Sequence, residues 1–391
     1  MLLPCNAAST SMKRPCHVSS TFDRRTLLAS APGLALAQGV LPLAAAAQAL
    51  KLVPLAPVGP LSISRVIKGC WQLSSGHKGE AATDRTAGRA AVEDFAAFVN
   101  AGITTLDTAD IYGPSESLIG RYLGQRESAP EGRQVSVLTK YCLFDSDIMK
   151  GLKPGDVRQA VSGSLRRLGL KQVDMVQLYW HDYSFPRYVD AALALTELKA
   201  QGLIKAVGIT NFDTARMQEM VDAGAEISSN QIQYSLMDRR PEQGPMAAYC
   251  AAHGIALLPY GTVAGGLLSS EAWLGKPAAA VPLNTFSRRK YAQVIDVVGG
   301  WERVQRLLGV LASLATKHGT SSSNVATKWV LDKTPVAGVI VGARNANHVA
   351  DHQALFEVQL DESDLAELEE AVAGFKKPKG DCYAWERGGG W

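Results

Sequence analysis

The chain has 391 residues, 47% of them hydrophobic and 20% charged, enough to bury a substantial core as one large domain or two ordinary ones. Forty basic residues against 37 acidic leave a formal charge of only +3, and four basic residues and one acid lie within the first 50 positions. The near-neutral remainder argues against nucleic acid or an anionic membrane as a partner. Six scattered cysteines without a CxxC pair argue against a disulfide scaffold or a zinc site, so no metal is expected.

The leading segment differs from the rest. Residues 1–25 are rich in Ser and Thr and carry Lys13, Arg14, Arg24 and Arg25 beside one acid, Asp23. From Thr26 to Leu50 there is no charge, and the run ends in Ala44 to Ala47, Gln48 and Ala49. An arginine pair, an apolar stretch and small residues at the end match a twin-arginine export signal with an A-x-A cleavage site. The serine-rich, acid-poor front is similar to an organelle transit peptide. Residues 1–50 therefore read as a chloroplast targeting presequence, with stroma and thylakoid lumen both open. A membrane anchor of this length is conceivable, but Pro32, Gly33, Gly39 and Pro42 suit one poorly, so no stable membrane insertion of the mature form is expected.

From about residue 60 short β-branched runs alternate with longer helical-period runs. The strand candidates are RVIKGCW (65–71), TTLDTA (104–109), VSVLTKY (135–141), VDMVQLYWH (173–181), KAVGIT (205–210), SNQIQYS (229–235), IALLPYG (255–261) and VAGVIVGA (336–343). Helix candidates between them, such as 90–102, 188–202 and 220–225, end at or beside glycine, which accepts the left-handed conformation that stops a helix. Eight strands separated by helices over some 300 residues predict an α/β fold, a single (β/α)8 TIM barrel across 60–375. No GxGxxG follows the first strand, which weakens an open dinucleotide-binding sheet. Two long stretches, 143–154 and 264–300, are expected to emerge on the catalytic face.

Barrel chemistry gathers at the C-terminal ends of strands. Those positions offer Asp107, Tyr112 five residues on, Lys140 and His181, at the mouths of the second, third and fourth strands. Each alone has an ordinary reading: a helix cap, a rim aromatic, a solvated lysine, a core histidine. Together they form a proton-transfer device. A phenol is too weak an acid at neutral pH, a neighbouring ammonium is expected to lower its pKa, and a carboxylate keeps that ammonium charged when buried. The imidazole is placed to hydrogen-bond a carbonyl oxygen.

TTLDTADIYGPSE (104–116), LTKY (138–141), QLYWH (177–181), VGITNF (207–212), NQIQYS (230–235), LLPYG (257–261) and VIVGAR (339–344) together resemble the aldo-keto reductase superfamily across roughly 60–375. The resemblance implies NADPH-dependent reduction of an aldehyde or ketone, with Tyr112 as general acid, Lys140 and Asp107 tuning it and His181 orienting the carbonyl. It also implies that Thr210, Asn211 and Gln231 hold the nicotinamide carboxamide and that Tyr260 stacks on the ring. Gly342, Ala343, Arg344 and Asn345 then match the loop that holds the adenosine 2′-phosphate, with His348, Asp351 and His352 following. His352 stands where the family has Asn. Trp71, Tyr141, Trp180 and Tyr183 are candidate substrate walls, and the tail 376–391 is expected near the mouth. A small carbonyl substrate and a monomer complete the expectation. An NADP-linked aldose or polyol dehydrogenase, and a non-enzymatic nucleotide-sensing module like channel β-subunits, stay open as alternatives.

Overall fold

All eight apolar runs form strands, and they close on one another. In the computed structural model, which describes residues 52–74, 77, 83–126 and 134–387, a hairpin of β1 (Leu55–Val58) and β2 (Leu61–Ser64) precedes the barrel. The barrel strands are β3 (Val66–Gly69), β4 (Thr105–Asp107), β5 (Ser136–Leu143), β6 (Val173–Trp180), β7 (Ile204–Thr210), β8 (Ile227–Gln233), β9 (Ala256–Tyr260) and β10 (Val339–Gly342). Each pairs in parallel with the next in sequence, and β10 closes on β3. The fold is the predicted (β/α)8 barrel. The expected presequence, 1–50, lies outside the described residues.

Helices cover the outside because their apolar stripes match the buried outer face of the strands. The helix Trp301–His318 buries Val304, Leu307, Leu308, Leu311, Leu314 and Ala315, spaced three and four apart. Each of its larger buried side chains contributes about 1.5–3 kcal/mol. Gly102 has φ 87°, just after the helix Gly88–Asn100, and a Cβ there would sit 2.7 Å from the Val53 nitrogen. Both the backbone turn and the close approach require glycine.

The inside of the barrel has two layers. Below, Ile67, Leu138, Met175, Ala206, Leu258 and Ile340 pack with Val58, Leu61 and Ile63 of the hairpin. The hairpin, which the sequence reading did not anticipate, thus plugs the N-terminal end. Above, the same alternation turns Lys140 and Gln177 inward, opposite each other in register. Gly208 makes this layer possible, since a Cβ there would meet Met175 Sδ at 2.8 Å and Gln177 Cγ at 2.9 Å.

The long segments carry their own structure. Asp145 caps the helix Ser146–Gly151 after β5, and 264–300 contains the helices Ser270–Trp273 and Phe286–Val298. Among the described residues no helix is long and apolar enough to cross a membrane.

Candidate active site

Asp107 ends β4 and Lys140 lies in β5, both nearly sealed from solvent. Lys140 Nζ donates to Asp107 Oδ2 at 2.7 Å and to the Thr108 carbonyl at 2.9 Å. The other carboxylate oxygen accepts from Gln177 Nε2 at 3.0 Å and Gln231 Nε2 at 2.7 Å, and the two amides join at 2.9 Å. A buried ion pair survives only when its remaining lone pairs and protons are satisfied in this way. Against the burial that would discharge it, the Asp107 carboxylate holds Lys140 above the usual lysine range.

Tyr112 sits on the turn after β4, half-buried, its ring centroid 5.0 Å from Lys140 Nζ. The turn is pinned from behind. Thr108 and Ser115 hydroxyls meet at 2.8 Å, and buried Glu116 accepts from Thr139 at 2.5 Å and from Arg167 at 2.6 Å. The lysine pulls the phenol toward lower pKa, as expected, yet the net effect has the other sign. Burial dominates and pushes Tyr112 up to about 12, so the resting phenol is firmly protonated.

His181 follows the last residue of β6 and is exposed. Its Nδ1 is 3.1 Å from the Tyr179 hydroxyl, and its ring leans on Phe144 at 5.4 Å. Tyr179 itself is buried.

The nicotinamide candidates cluster at the ends of β7, β8 and β9. Thr210 lies opposite Gln231, and its hydroxyl donates to the Gln231 carbonyl at 3.1 Å. Asn211 has φ 62° and accepts from the Tyr260 hydroxyl at 2.8 Å. The Gln231 amide nitrogen is committed to Asp107 and Gln177. Lys290, on the helix Phe286–Val298, places its amine 5.0 Å from the Tyr260 ring centroid, with burial depressing its pKa.

The adenosine candidates follow β10. Arg344 pairs with Asp84 at 3.3 Å, and Asn345 donates to the Thr83 carbonyl at 2.9 Å. Gly342 leaves room for the Gln72 amide, which a Cβ would approach to 2.4 Å. His348 is exposed at the start of the helix Val349–Ala354. His352 is pushed down to about 4 by burial and keeps a buried Nε2 with no partner, as does Gln72 Oε1.

Of the four wall aromatics, Trp71 faces Tyr112, with ring centroids 5.1 Å apart. Tyr183 packs against Arg387 of the tail. Trp180 is fully buried against Tyr188, and Tyr141 lines a separate cavity of about 720 Å³ with Asp110, Asp156 and Arg166. Neither faces the mouth, because their positions on β5 and β6 alternate with the inward set. The tail does reach the mouth. Arg387 donates to the carbonyls of Trp180 at 2.7 Å and Asn211 at 2.6 Å, and Glu386 pairs with buried Arg240 at 3.0 Å.

Gln177, Tyr179, Glu386 and Arg387 belong to this region and were not singled out from sequence, whereas Lys290 lies in the 264–300 stretch expected at this face. Period-two alternation from Met175 was the available signal for the first two. Glu386 and Arg387 lie in the tail, whose path no local pattern specifies.

A model of the aldo/keto reductase family matches residues 65–373. The chain belongs to the aldo/keto reductase family. It is 25% identical over 342 residues to the NADH-specific methylglyoxal reductase of Escherichia coli, covering 84% of this chain and 100% of that one. It is 28% identical over 333 residues to the chloroplastic pyridoxal reductase of Arabidopsis thaliana, covering 81% and 85%. The glycerol dehydrogenase of Gluconobacter oxydans shares the fold, with a TM-score of 0.67 at 24% identity over 84% of this chain and 98% of its own. Membership in the aldo/keto reductase family makes the chain a nicotinamide-dependent oxidoreductase whose general chemistry is carbonyl reduction.

Proposed function

We propose that the protein reduces an aldehyde or ketone to the alcohol with NADPH, Tyr112 supplying the proton. The observation that carries this reading is the Lys140–Asp107 pair, sealed at 2.7 Å with Lys140 5.0 Å from the Tyr112 ring centroid. When bound, the reduced nicotinamide supplies hydride to the carbonyl carbon. Tyr112 gives its hydroxyl proton to the carbonyl oxygen as charge develops there. A phenol held at about 12 is a weak acid at rest, but a developing alkoxide is a stronger base than a phenolate, so the transfer runs downhill. Lys140 stabilises the phenolate left behind, and Asp107, braced by Gln177 and Gln231, keeps the ammonium in place. His181 acts on the orientation of the carbonyl.

The residues present fit a dinucleotide. Thr210, Asn211 and Tyr260 would hold its nicotinamide end. Buried, unpartnered Gln72 Oε1 and His352 Nε2 offer acceptors or a donor near the β10 loop of Gly342, Arg344 and Asn345, with His348 beyond. NADPH over NADH is supported by Arg344 just after β10, with Arg288 held below the usual guanidinium range chiefly by burial and further by repulsion from Arg344. An added phosphate would relieve that repulsion, although Asp84 already engages Arg344.

The test is a carbonyl panel including methylglyoxal and pyridoxal, followed by nucleotide oxidation with the mature chain. Turnover with NADPH is expected, and Arg344→Ala should weaken NADPH about tenfold while leaving NADH nearly unchanged. Nucleotide binding without turnover of any carbonyl or alcohol would replace this reading with the sensing module. Faster oxidation of polyols than reduction of carbonyls would replace it with the dehydrogenase. We also assign residues 1–50 to chloroplast targeting, a reading that the chloroplastic relative supports. A fluorescent protein fused behind residues 1–50 should enter plastids, and cytosolic retention would contradict it.

A further inference from the structure

We propose that Tyr179, not His181, meets the substrate's carbonyl oxygen, and that His181 acts by holding the Tyr179 hydroxyl in a donating orientation. This rests on the carbonyl-reductase reading and changes one assignment within it.

The placement follows from β6. Met175 points into the lower apolar layer and Gln177 into the upper polar one, where it donates to Asp107. Tyr179 is the next inward position. A strand advances about 3.3 Å per residue, so its Cα stands roughly 7 Å above that of Gln177, level with the space over the Lys140–Asp107 pair. In register it lies opposite Cys142, two residues beyond Lys140. Tyr179 is 6% exposed, while His181 is exposed beyond the strand end, its ring against Phe144.

The hydrogen bonds assign the proton. A phenol oxygen can accept two hydrogen bonds and donate one. Tyr383 stands edge-on to Tyr179 at 6.3 Å between ring centroids, and His181 Nδ1 lies 3.1 Å from the Tyr179 hydroxyl. With the imidazole in the Nδ1–H form, His181 donates into the Tyr179 oxygen, and the Tyr179 proton is left for the carbonyl. The carbonyl oxygen then meets two phenols. Tyr112 transfers its proton as the carbon gains hydride, and Tyr179 keeps its own while stabilising the oxygen. Tyr179 is thus a catalytic residue and His181 a positioning residue.

The experiment compares Tyr179→Phe, His181→Ala and the double variant, using the best carbonyl of the panel, with Tyr112→Phe alongside. Tyr179→Phe keeps the ring and removes only the hydroxyl. It should lower kcat about 100-fold, the scale of losing one donor to a developing oxyanion, with NADPH affinity unchanged. His181→Ala should lower kcat roughly 10-fold alone and by nothing further in the Tyr179→Phe background. Tyr179→Phe within threefold of wild type would overturn the proposal, as would a full His181→Ala effect in the double variant. In either case a dead Tyr112→Phe variant would leave the carbonyl-reductase reading standing. Full activity of Tyr112→Phe, or a wild type that reduces no carbonyl, would remove that reading and this proposal with it.

Discussion

Lys140 and Asp107 are the most consequential residues in the molecule, because each is buried in a form that only the other makes tolerable. Removing one partner of such a pair strands the other's charge. Lys140→Met should therefore destabilise the fold by about 3–5 kcal/mol as well as abolish turnover. Chemical denaturation checks this, and a variant as stable as wild type would mean that Asp107 takes up a proton without cost. That Asp107, Tyr112 and Lys140 come together was legible in the sequence, since each lies at or just past a strand end, whereas His181 lies exposed beyond its strand. The sign of the Tyr112 shift was not legible. It depends on how much protein surrounds the phenol, a sum over elements distant in sequence, and that sum exceeds the attraction of one ammonium. The partnership of Tyr179 with His181 was equally hidden, because an exposed histidine and a buried tyrosine two residues apart look alike on paper.

At the scale of elements, strand β7 shows how backbone space serves the site. Gly208 lies opposite Gln177, and its missing side chain is the room that Gln177 needs to reach Asp107. Gly208→Ala should cost about 1–3 kcal/mol through overpacking and lower kcat more than substrate affinity. Thermal unfolding and steady-state kinetics would show it, and a silent substitution would show that Met175 yields freely. The tail is a second element with a role. Arg387 covers the carbonyl ends of β6 and β7, and Glu386 ties it to Arg240 and thence to Asp238 at 2.6 Å. Removing 381–391 should raise KM for the carbonyl several-fold, with the barrel intact by circular dichroism; unchanged KM would mean that the tail does not shape the substrate site. The eight strands were readable from their apolar runs, and the helix ends from Gly102, Gly202 and Gly224. The N-terminal hairpin was not, because Leu55–Val58 and Leu61–Ser64 are only four residues each, and Pro57 and Pro60 interrupt the run before the first barrel strand.

Across the whole molecule, two buried groups far apart in sequence oppose each other in the response to acid. Asp110 is pushed up to about 6 from 3.8, chiefly by burial, with Glu116 adding repulsion. Between about pH 4 and 6 the folded state holds its proton while the unfolded carboxyl has released it, so this group lowers stability as pH rises. His352 is pushed down to about 4 from 6.5 by burial, with His348 and Lys68 adding repulsion. Over that window the unfolded imidazole is protonated and the folded one is not, so this group lowers stability as pH falls. The two slopes nearly cancel. Asp110→Asn should leave the histidine slope uncompensated, and stability should then drop between pH 6.5 and 4 by on the order of 2–3 kcal/mol relative to wild type. Urea titrations at a series of pH values check this, and parallel profiles for the two proteins would contradict it.

The account turns on a proton leaving Tyr112, and Tyr112→Phe isolates that event because it removes one oxygen and keeps the ring against Trp71. NADPH affinity and single-turnover carbonyl reduction, measured together on this variant, test it most directly. The expected result is wild-type nucleotide affinity with the reduction step slowed about 10²–10⁴-fold. A Tyr112→Phe protein that binds NADPH and reduces the carbonyl at the wild-type rate would contradict it.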